Sequence, residues 1–199
     1  LDAGVDMIIH CVFKEGDGTD SFSEDVAERV GAHGAYVNPT LHVGRARTWA
    51  LQRKKDTEGL SPGEQAQLDD DLRSFDTRLE HCQRLIEMGL KVITGSDSSW
   101  GDYQLGNTAY EAECLAMAGY SPMQAVMSVT GEAAKALGVD DVAGTLEPGK
   151  EADILVLDGN PAEDIGALWN VVDVYQAGQR IDRGSAGSLA AVRQAPHND

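Results

Sequence analysis

Residues 91–97 read Lys-Val-Ile-Thr-Gly-Ser-Asp, and the remaining strands and helices are compared with this stretch. Its first part is a short apolar run rich in β-branched residues, which predicts a buried parallel strand. The run breaks at Gly95 and presents Asp97 at its carboxyl end, ahead of the polar segment 98–103. In α/β folds, functional side chains collect at this end of the strands. Asp97 is therefore a candidate catalytic residue, and the alternative is an aspartate that caps a turn or a helix start.

Two earlier stretches share this pattern. Residues 5–10 read Val-Asp-Met-Ile-Ile-His, and residues 35–40 form another apolar run that ends in Asn-Pro-Thr. Proline at position 39 predicts the end of that strand. His10 occupies the same place at its strand end as Asp97, which makes it a candidate ligand. The alternative is a histidine whose hydrogen bonds are satisfied within the core.

The best-specified helix begins at residues 61–64, Ser-Pro-Gly-Glu, a capping box with proline at the first helical position. Apolar side chains then recur at steps of four and three, and Gly89 closes the helix. These side chains are Leu68, Leu72, Phe75, Leu79, Cys82 and Ile86. Further helices are predicted over 23–30, 107–117 and 121–129. The alternation of strands with helices predicts the α/β fold class.

The charge balance restricts the partners. The chain has 199 residues, with 33 acidic against 16 basic side chains and a formal net charge of −17. Such a field repels phosphate backbones and anionic lipid surfaces, so we expect no nucleic-acid partner and no membrane association. No apolar run approaches the length of a membrane span.

The number and spacing of the cysteines indicate the redox state of the cellular compartment. Cys11, Cys82 and Cys114 are an odd and scattered set, which indicates neither a disulfide framework nor a structural zinc site. We therefore expect a reducing, cytoplasmic environment. No secretory signal is visible, but the chain opens at Leu1 in mid-pattern without an initiator methionine, which leaves a targeting signal upstream as an open alternative.

The character of the chain changes at Gly144. From there, short strand-like runs over 153–157, 171–176 and 179–181 are joined by glycine and proline turns, which predicts a small β layer. We expect three parts: an α/β portion over 1–143, a β portion over 144–181 and a flexible tail over 182–199. The tail is small, polar and aperiodic.

Four ordered blocks carry a family resemblance. Residues 144–158 read Gly-Thr-Leu-Glu-Pro-Gly-Lys-Glu-Ala-Asp-Ile-Leu-Val-Leu-Asp, with Asn-Pro at 160–161. This segment resembles the C-terminal signature of the amidohydrolase superfamily, and more narrowly it is similar to the imidazolonepropionase-like branch with its metal-dependent dipeptidases and prolidases. Three further blocks agree in order and spacing, at 4–10, 39–41 and 95–97. The resemblance covers nearly all of 1–181.

The resemblance implies a (β/α)8 barrel with a small β-sandwich and one or two divalent metal ions, with zinc the expected metal. His10 matches the family's sixth-strand ligand. Asp97 matches the eighth-strand aspartate, which binds metal and takes a proton from the attacking water. Zinc lowers the pKa of a bound water to about 7, so a carboxylate beside it can pass that proton to a leaving amine.

Matched in this way, the chain supplies strands six to eight of the barrel and part of the sandwich. The first-strand His-x-His pair, the fourth-strand lysine and the fifth-strand histidine of the family have no counterpart in it. We therefore expect a partner that provides them, either an N-terminal half or a companion chain, with a homo-oligomer as a further alternative. The expected substrate is a small or dipeptide-like molecule.

Four other histidines can be placed by position. His42 follows the seventh strand and is a candidate substrate contact. His33 near a helix end, His81 on the flank of the capped helix and His197 in the tail are expected to be solvated.

The expected function is hydrolysis of an amide, peptide or cyclic C–N bond by metal-activated water. Two identified ligands are fewer than the three that catalytic zinc sites usually use, so we expect the isolated chain to be inactive. The alternatives are a non-catalytic structural subunit or degenerate relative, and a deaminase of the same superfamily.

Overall fold

A computed structural model describes residues 1–97 and 108–184. The predicted polar segment 98–103, most of the predicted tail and His197 lie outside these residues. Within them, no helix combines the length and the apolar character needed to cross a bilayer.

Three short parallel strands form the first sheet. They are β1 (Met7–Ile9), β2 (Tyr36–Asn38) and β3 (Lys91–Val92), in the order β1-β2-β3. The register pairs Ile8 with Val37 and Val37 with Val92. All three lie within the apolar runs predicted from the sequence but are shorter than those runs. The parallel sheet and its connecting helices confirm a mixed α/β fold.

Helices connect the strands and continue beyond them. One helix joins β1 to β2, two join β2 to β3, and three more lie within residues 108–184. They are α1 (Glu24–His33), α2 (Arg45–Thr57), α3 (Pro62–Glu87), α4 (Thr108–Met117), α5 (Pro122–Val129) and α6 (Gly131–Leu137). Helices α1, α3 and α4 pack against the sheet. Their shared core includes Val37 and Val92 from the strands and Val30, Leu85 and Leu115 from the helices.

Helix α3 begins and ends where its sequence predicts. The Ser61 hydroxyl accepts the Glu64 N–H at 3.3 Å, and the Glu64 carboxylate accepts the Ser61 N–H at 2.9 Å. Gly89, with φ of 78°, follows the C-terminal cap. Two members of the predicted apolar stripe, Leu68 and Cys82, are fully buried. The stripe is the packing face of the helix, as expected.

Helix α2 was not predicted from the sequence. Its N-cap is Gly44, which has φ of 95° and offers no side chain to accept a hydrogen bond. Most of its side chains are polar or charged, and its buried members are Ala46, Thr48 and Trp49. Neither a capping signal nor an apolar period therefore marked this helix.

His81 corrects another expectation, since it is buried rather than solvated. Its side chain lies against Phe13 and Phe22, with ring centroids 5.8 and 5.5 Å away. The two phenylalanines come from the segment between β1 and α1, which folds back over α3. Burial lowers the pKa of His81 below its usual value. His33, in contrast, is exposed as expected, and its Nε2 lies 3.2 Å from the carbonyl of Val5.

The second sheet is antiparallel and follows the helices. Its strands are β4 (Ile154–Leu157), β5 (Val171–Gln176) and β6 (Gln179–Arg180), and a short 3₁₀ helix (Ile165–Trp169) lies between β4 and β5. Ala177 and Gly178, with φ of 47° and 76°, form the turn between β5 and β6. Positive φ at both central residues matches the twist of paired strands. The predicted β layer is thus present.

Aromatic side chains join the second sheet to the helices. The Tyr110 ring packs between Trp49 and Trp169, with centroids 4.7 and 4.4 Å away. The Trp169 indole also donates a hydrogen bond to Glu113 at 2.8 Å. Helix α4 therefore anchors the connection that leads into β5.

Candidate functional site

Three side chains meet where the parallel strands end. His10 directly follows β1, Thr40 follows β2 and Asp97 lies beyond β3. Each has a positive φ, of 55°, 48° and 44° respectively. This left-handed region is uncommon for residues other than glycine and especially unfavourable for β-branched threonine. Such conformations persist where the surroundings fix them, and they cluster at functional sites.

The structure brings the predicted pair together. His10 Nε2 lies 3.6 Å from Asp97 Oδ2, and the two side chains are 52% and 35% exposed. Two residues before Asp97, Gly95 packs closely against Asn38, because a Cβ at that position would overlap the side-chain amide of Asn38. The pair therefore lies at the surface, open to solvent, at the carboxyl edge of the sheet.

Thr40 contacts the other side of the His10 ring. Its Oγ1 lies 2.7 Å from His10 Nδ1 and donates to the Pro39 carbonyl at 2.8 Å. The Thr40 side chain is only 1% exposed. Nothing in the sequence alone distinguished this threonine from an ordinary strand-end residue.

His42 lies beneath the surface in the turn after β2. It is 1% exposed, and its Nδ1 lies 3.2 Å from Glu111 Oε2. The structure therefore places His42 against helix α4. Its role as a substrate contact stays a prediction.

Two charged side chains hold this turn from opposite sides. Glu111, fully buried in α4, accepts the backbone N–H groups of Leu41 and His42, each at 2.8 Å. Arg78 from α3 donates to the Thr40 carbonyl at 2.6 Å and to the Pro39 carbonyl at 3.0 Å. Neither residue was predicted from the sequence. The available signal was an acidic residue within the otherwise apolar segment 109–112.

Residues 5–181 match the amidohydrolase family. The chain belongs to that family. The matched region contains both parallel-strand edge residues, His10 and Asp97, and ends just after β6.

Individual relatives resemble parts or most of this amidohydrolase chain. An ochratoxinase of Aspergillus niger is 33% identical over 109 residues, which are 52% of this chain and 22% of that protein. Adenine deaminase 2 of Jannaschia sp. (strain CCS1) is 32% identical over 96 residues, 45% of this chain and 15% of that protein. The crystal structure of a Xaa-Pro dipeptidase with bound methionine matches with a TM-score of 0.67 and 26% identity, covering 91% of this chain and 41% of that one. The chain thus spans less than half the length of these relatives.

Amidohydrolases typically use a divalent metal ion, so the fit of the site to such an ion can be tested. Two ligands of one tetrahedral zinc ion lie about 3.4 Å apart, given metal–ligand distances near 2.1 Å. The separation of His10 Nε2 and Asp97 Oδ2, 3.6 Å, fits this spacing, and imidazole and carboxylate are suitable zinc ligands. In residues 1–97 and 108–184, no group of three or more His, Cys, Asp or Glu side chains has metal-binding geometry. The pair fits part of a metal site.

The cysteines of this amidohydrolase chain are free and protonated at neutral pH. Burial raises the pKa of Cys11 to about 11 and that of Cys114 to about 12, and it raises the pKa of Cys82 as well. Only a thiolate acts as a nucleophile or as a soft metal ligand. These thiols are therefore weak nucleophiles at neutral pH.

Proposed function

We propose that the intact protein is a metal-dependent hydrolase of amide, peptide or cyclic C–N bonds. The observation that carries this proposal is the 3.6 Å approach of His10 Nε2 to Asp97 Oδ2 at the carboxyl edge of a parallel sheet. Membership of the amidohydrolase family supports the reaction class. Likeness to a Xaa-Pro dipeptidase supports a small or dipeptide-like substrate.

In this proposal β1, β2 and β3 are strands six, seven and eight of a (β/α)8 barrel, within an α/β portion over 1–143. Residues 144–181 are the C-terminal strands of a β-sandwich. The parallel order β1-β2-β3 supports this assignment. β1 is an edge strand of this sheet, and Ile9 on it is 56% exposed. Both observations support an N-terminal half or companion chain that pairs with β1 and covers Ile9. That partner would also provide the remaining ligands.

His10 and Asp97 have different roles in this proposal. His10 would hold the ion through Nε2, and Asp97 would hold it through a carboxylate oxygen. A bound divalent ion such as zinc, present as one ion or two, supplies Lewis acidity and lowers the pKa of a coordinated water to about 7. Asp97 then accepts the proton of the attacking water and delivers it to the leaving nitrogen. Its exposed carboxylate can meet water and substrate from the same open edge.

The net charge and the free cysteines support the proposed partners and compartment. A net charge of −17 disfavours nucleic acid and anionic membrane as partners. The free cysteines fit a reducing compartment such as the cytoplasm.

A deaminase is the second candidate, because adenine deaminase 2 of Jannaschia sp. is among the relatives. Asp97 would serve the same proton transfer, with ammonia rather than an amine or amino acid as the leaving product. A non-catalytic subunit is the third candidate, supported by the two-residue ligand set.

The test is made on the intact protein. We expect the chelated protein to be inactive and zinc to restore turnover on at least one of a set of Xaa-Pro dipeptides, N-acyl amino acids and cyclic amides. Amine or amino-acid release supports the hydrolase, whereas ammonia release from an aminopurine instead supports the deaminase. Turnover that persists after complete metal removal contradicts both. Absence of stoichiometric zinc uptake supports the non-catalytic candidate.

A further inference from the structure

The two contacts of the Thr40 hydroxyl indicate where the His10 ring carries its proton. A threonine hydroxyl has a single hydrogen. Thr40 Oγ1 lies 2.8 Å from the Pro39 carbonyl, which can only accept, and 2.7 Å from His10 Nδ1, where the donor depends on the tautomer. Both contacts are hydrogen bonds at the same time only if the hydroxyl donates to the carbonyl and accepts from Nδ1. That arrangement places the ring proton on Nδ1.

A neutral imidazole has one N–H, so protonation at Nδ1 leaves Nε2 with its lone pair available. That lone pair faces Asp97 Oδ2 at 3.6 Å. Two electron-rich atoms at this distance are stabilised by a cation between them. The hydrogen bond from Nδ1 thus presents Nε2 as a ligand atom.

The Thr40 hydroxyl is itself held firmly in place. Its residue is 1% exposed and adopts φ of 48°. The carbonyl of Thr40 receives the Arg78 guanidinium at 2.6 Å, and the next backbone N–H, that of Leu41, is bound by Glu111 at 2.8 Å. A cation on the carbonyl side and an anion on the amide side therefore oppose any rotation of this turn.

A turn alone does not call for threonine here. Glycine or asparagine adopts a positive φ with little or no strain, whereas a β-branched side chain is strongly disfavoured. The feature of Thr40 that glycine lacks is the buried hydroxyl, and this hydroxyl faces His10. The strained backbone is explained if the hydroxyl serves the histidine.

We propose that Thr40, held by Glu111 and Arg78, is a positioning residue that selects the Nδ1–H tautomer of His10 and aims Nε2 at the metal position. The consequence for metal binding rests on the proposed function, but the tautomer assignment does not. Hydrogen-bond partners of this kind orient ligand histidines and raise their basicity.

The test compares Thr40→Val, Thr40→Gly and Thr40→Ser in the intact protein. Valine preserves the branched shape and removes the hydroxyl. Glycine removes it as well but relieves the positive φ, so it remains informative if valine fails to fold. Serine retains the hydroxyl. Thr48→Val is the matched control, because Thr48 is also buried and its hydroxyl donates to the Gly44 carbonyl at 3.3 Å.

Two measurements are made on each variant. The first is the ring ¹⁵N chemical shifts of His10 in metal-free, histidine-labelled protein at mildly alkaline pH, assigned with His10→Gln. We expect Nδ1–H in the parent, in Thr40→Ser and in the control, and a shift toward Nε2–H in the valine and glycine variants. The second is the zinc dissociation constant, which should rise about 10- to 100-fold in those two variants.

Retention of the Nδ1–H tautomer in both Thr40→Val and Thr40→Gly overturns the proposal, as does an unchanged zinc affinity in both. If Thr40 has only a structural role, the glycine variant should keep the parental His10 tautomer and the parental zinc affinity. If His10→Gln leaves zinc affinity unchanged, the metal role of His10 fails instead, while the ¹⁵N shifts still decide whether Thr40 sets the tautomer.

Discussion

Glu111 Oε2 accepts the backbone N–H of His42 at 2.8 Å, so a carboxylate in α4 fixes the turn that follows β2. Both residues are almost completely inaccessible to solvent. The sequence separation between them is 69 residues, which makes this contact a tertiary constraint rather than a local cap. Thr40, which directly precedes the residues bound by Glu111, contacts His10.

Replacing this carboxylate should destabilise the fold. In Glu111→Gln, one oxygen acceptor becomes an N–H₂ group that faces backbone donors. We expect the free energy of unfolding to fall by about 1–3 kcal/mol, and by about 3–5 kcal/mol in Glu111→Ala. Urea denaturation of the intact protein measures both. Glu132→Gln on α6 is the control, and it should cost much less because its Lys135 pair is at the surface. Equal losses in Glu111→Gln and the control would contradict a structural role for Glu111.

The second prediction separates the roles of the two strand-end residues. Asp97→Asn in the intact protein should lower turnover by about 10²- to 10⁴-fold through loss of the general base. Its melting temperature should change little, because asparagine tolerates a positive φ and the side chain is 35% exposed. His10→Ala should lower bound metal more than it alters the pH dependence. Turnover, metal content and melting temperature are measured for both. Near-parental turnover in Asp97→Asn together with a clearly lower melting temperature would make Asp97 a structural residue.

A third prediction concerns acid stability. The Lys54 ammonium binds Glu64 at 2.6 Å, and with the Ser61 hydrogen bonds it lowers the pKa of that carboxyl from 4.5 to about 2. Because the folded pKa lies below the unfolded one, this contribution to stability is present above pH 4.5 and is lost as the pH falls toward 2. NMR titration of the Glu64 carboxyl should give the lowered pKa. Lys54→Met should move it upward, and Lys135→Met on α6 should leave it unchanged. A Glu64 pKa that Lys54→Met does not alter would contradict the role of this pair.

The fourth prediction tests the exposed edge of the parallel sheet. Ile9 is 56% exposed on β1, and an exposed apolar strand edge favours association. Ile9→Lys should reduce self-association of the 199-residue chain but destabilise the intact protein, in which we propose that this edge is covered. Leu137→Lys, at a position 68% exposed on α6, is the control. Sedimentation velocity and melting temperature are the measurements. If Ile9→Lys and the control behave alike in both proteins, β1 is not a covered edge.

Local chemistry made much of the fold predictable. The capping box at Ser61 and Glu64 predicted the start of α3, and the β-branched runs located all three parallel strands. Position at a strand end also singled out His10 and Asp97, which lie 3.6 Å apart. The residues that determine the helix start and the strands are close neighbours in the chain. The approach of His10 to Asp97 follows from the rule that parallel strands end at one edge of the sheet.

Features set by long-range contacts were not predictable. Arg78 reaches the Pro39 carbonyl across 39 residues, and Glu111 reaches Leu41 across 70. His81 was expected in solvent because it lies on the flank of α3 in the sequence pattern. Its burial comes from Phe13 and Phe22, which belong to a distant segment. Single-sequence patterns carry no signal for such pairings.

The stack of Trp49, Tyr110 and Trp169 gives the chain an internal optical probe. Rings whose centroids lie 4.7 and 4.4 Å apart transfer excitation efficiently from tyrosine to tryptophan. Detachment of the second sheet from α4 would remove Trp169 from Tyr110 and expose its indole to water. The resulting red shift in the emission of Trp169 would report undocking of that sheet.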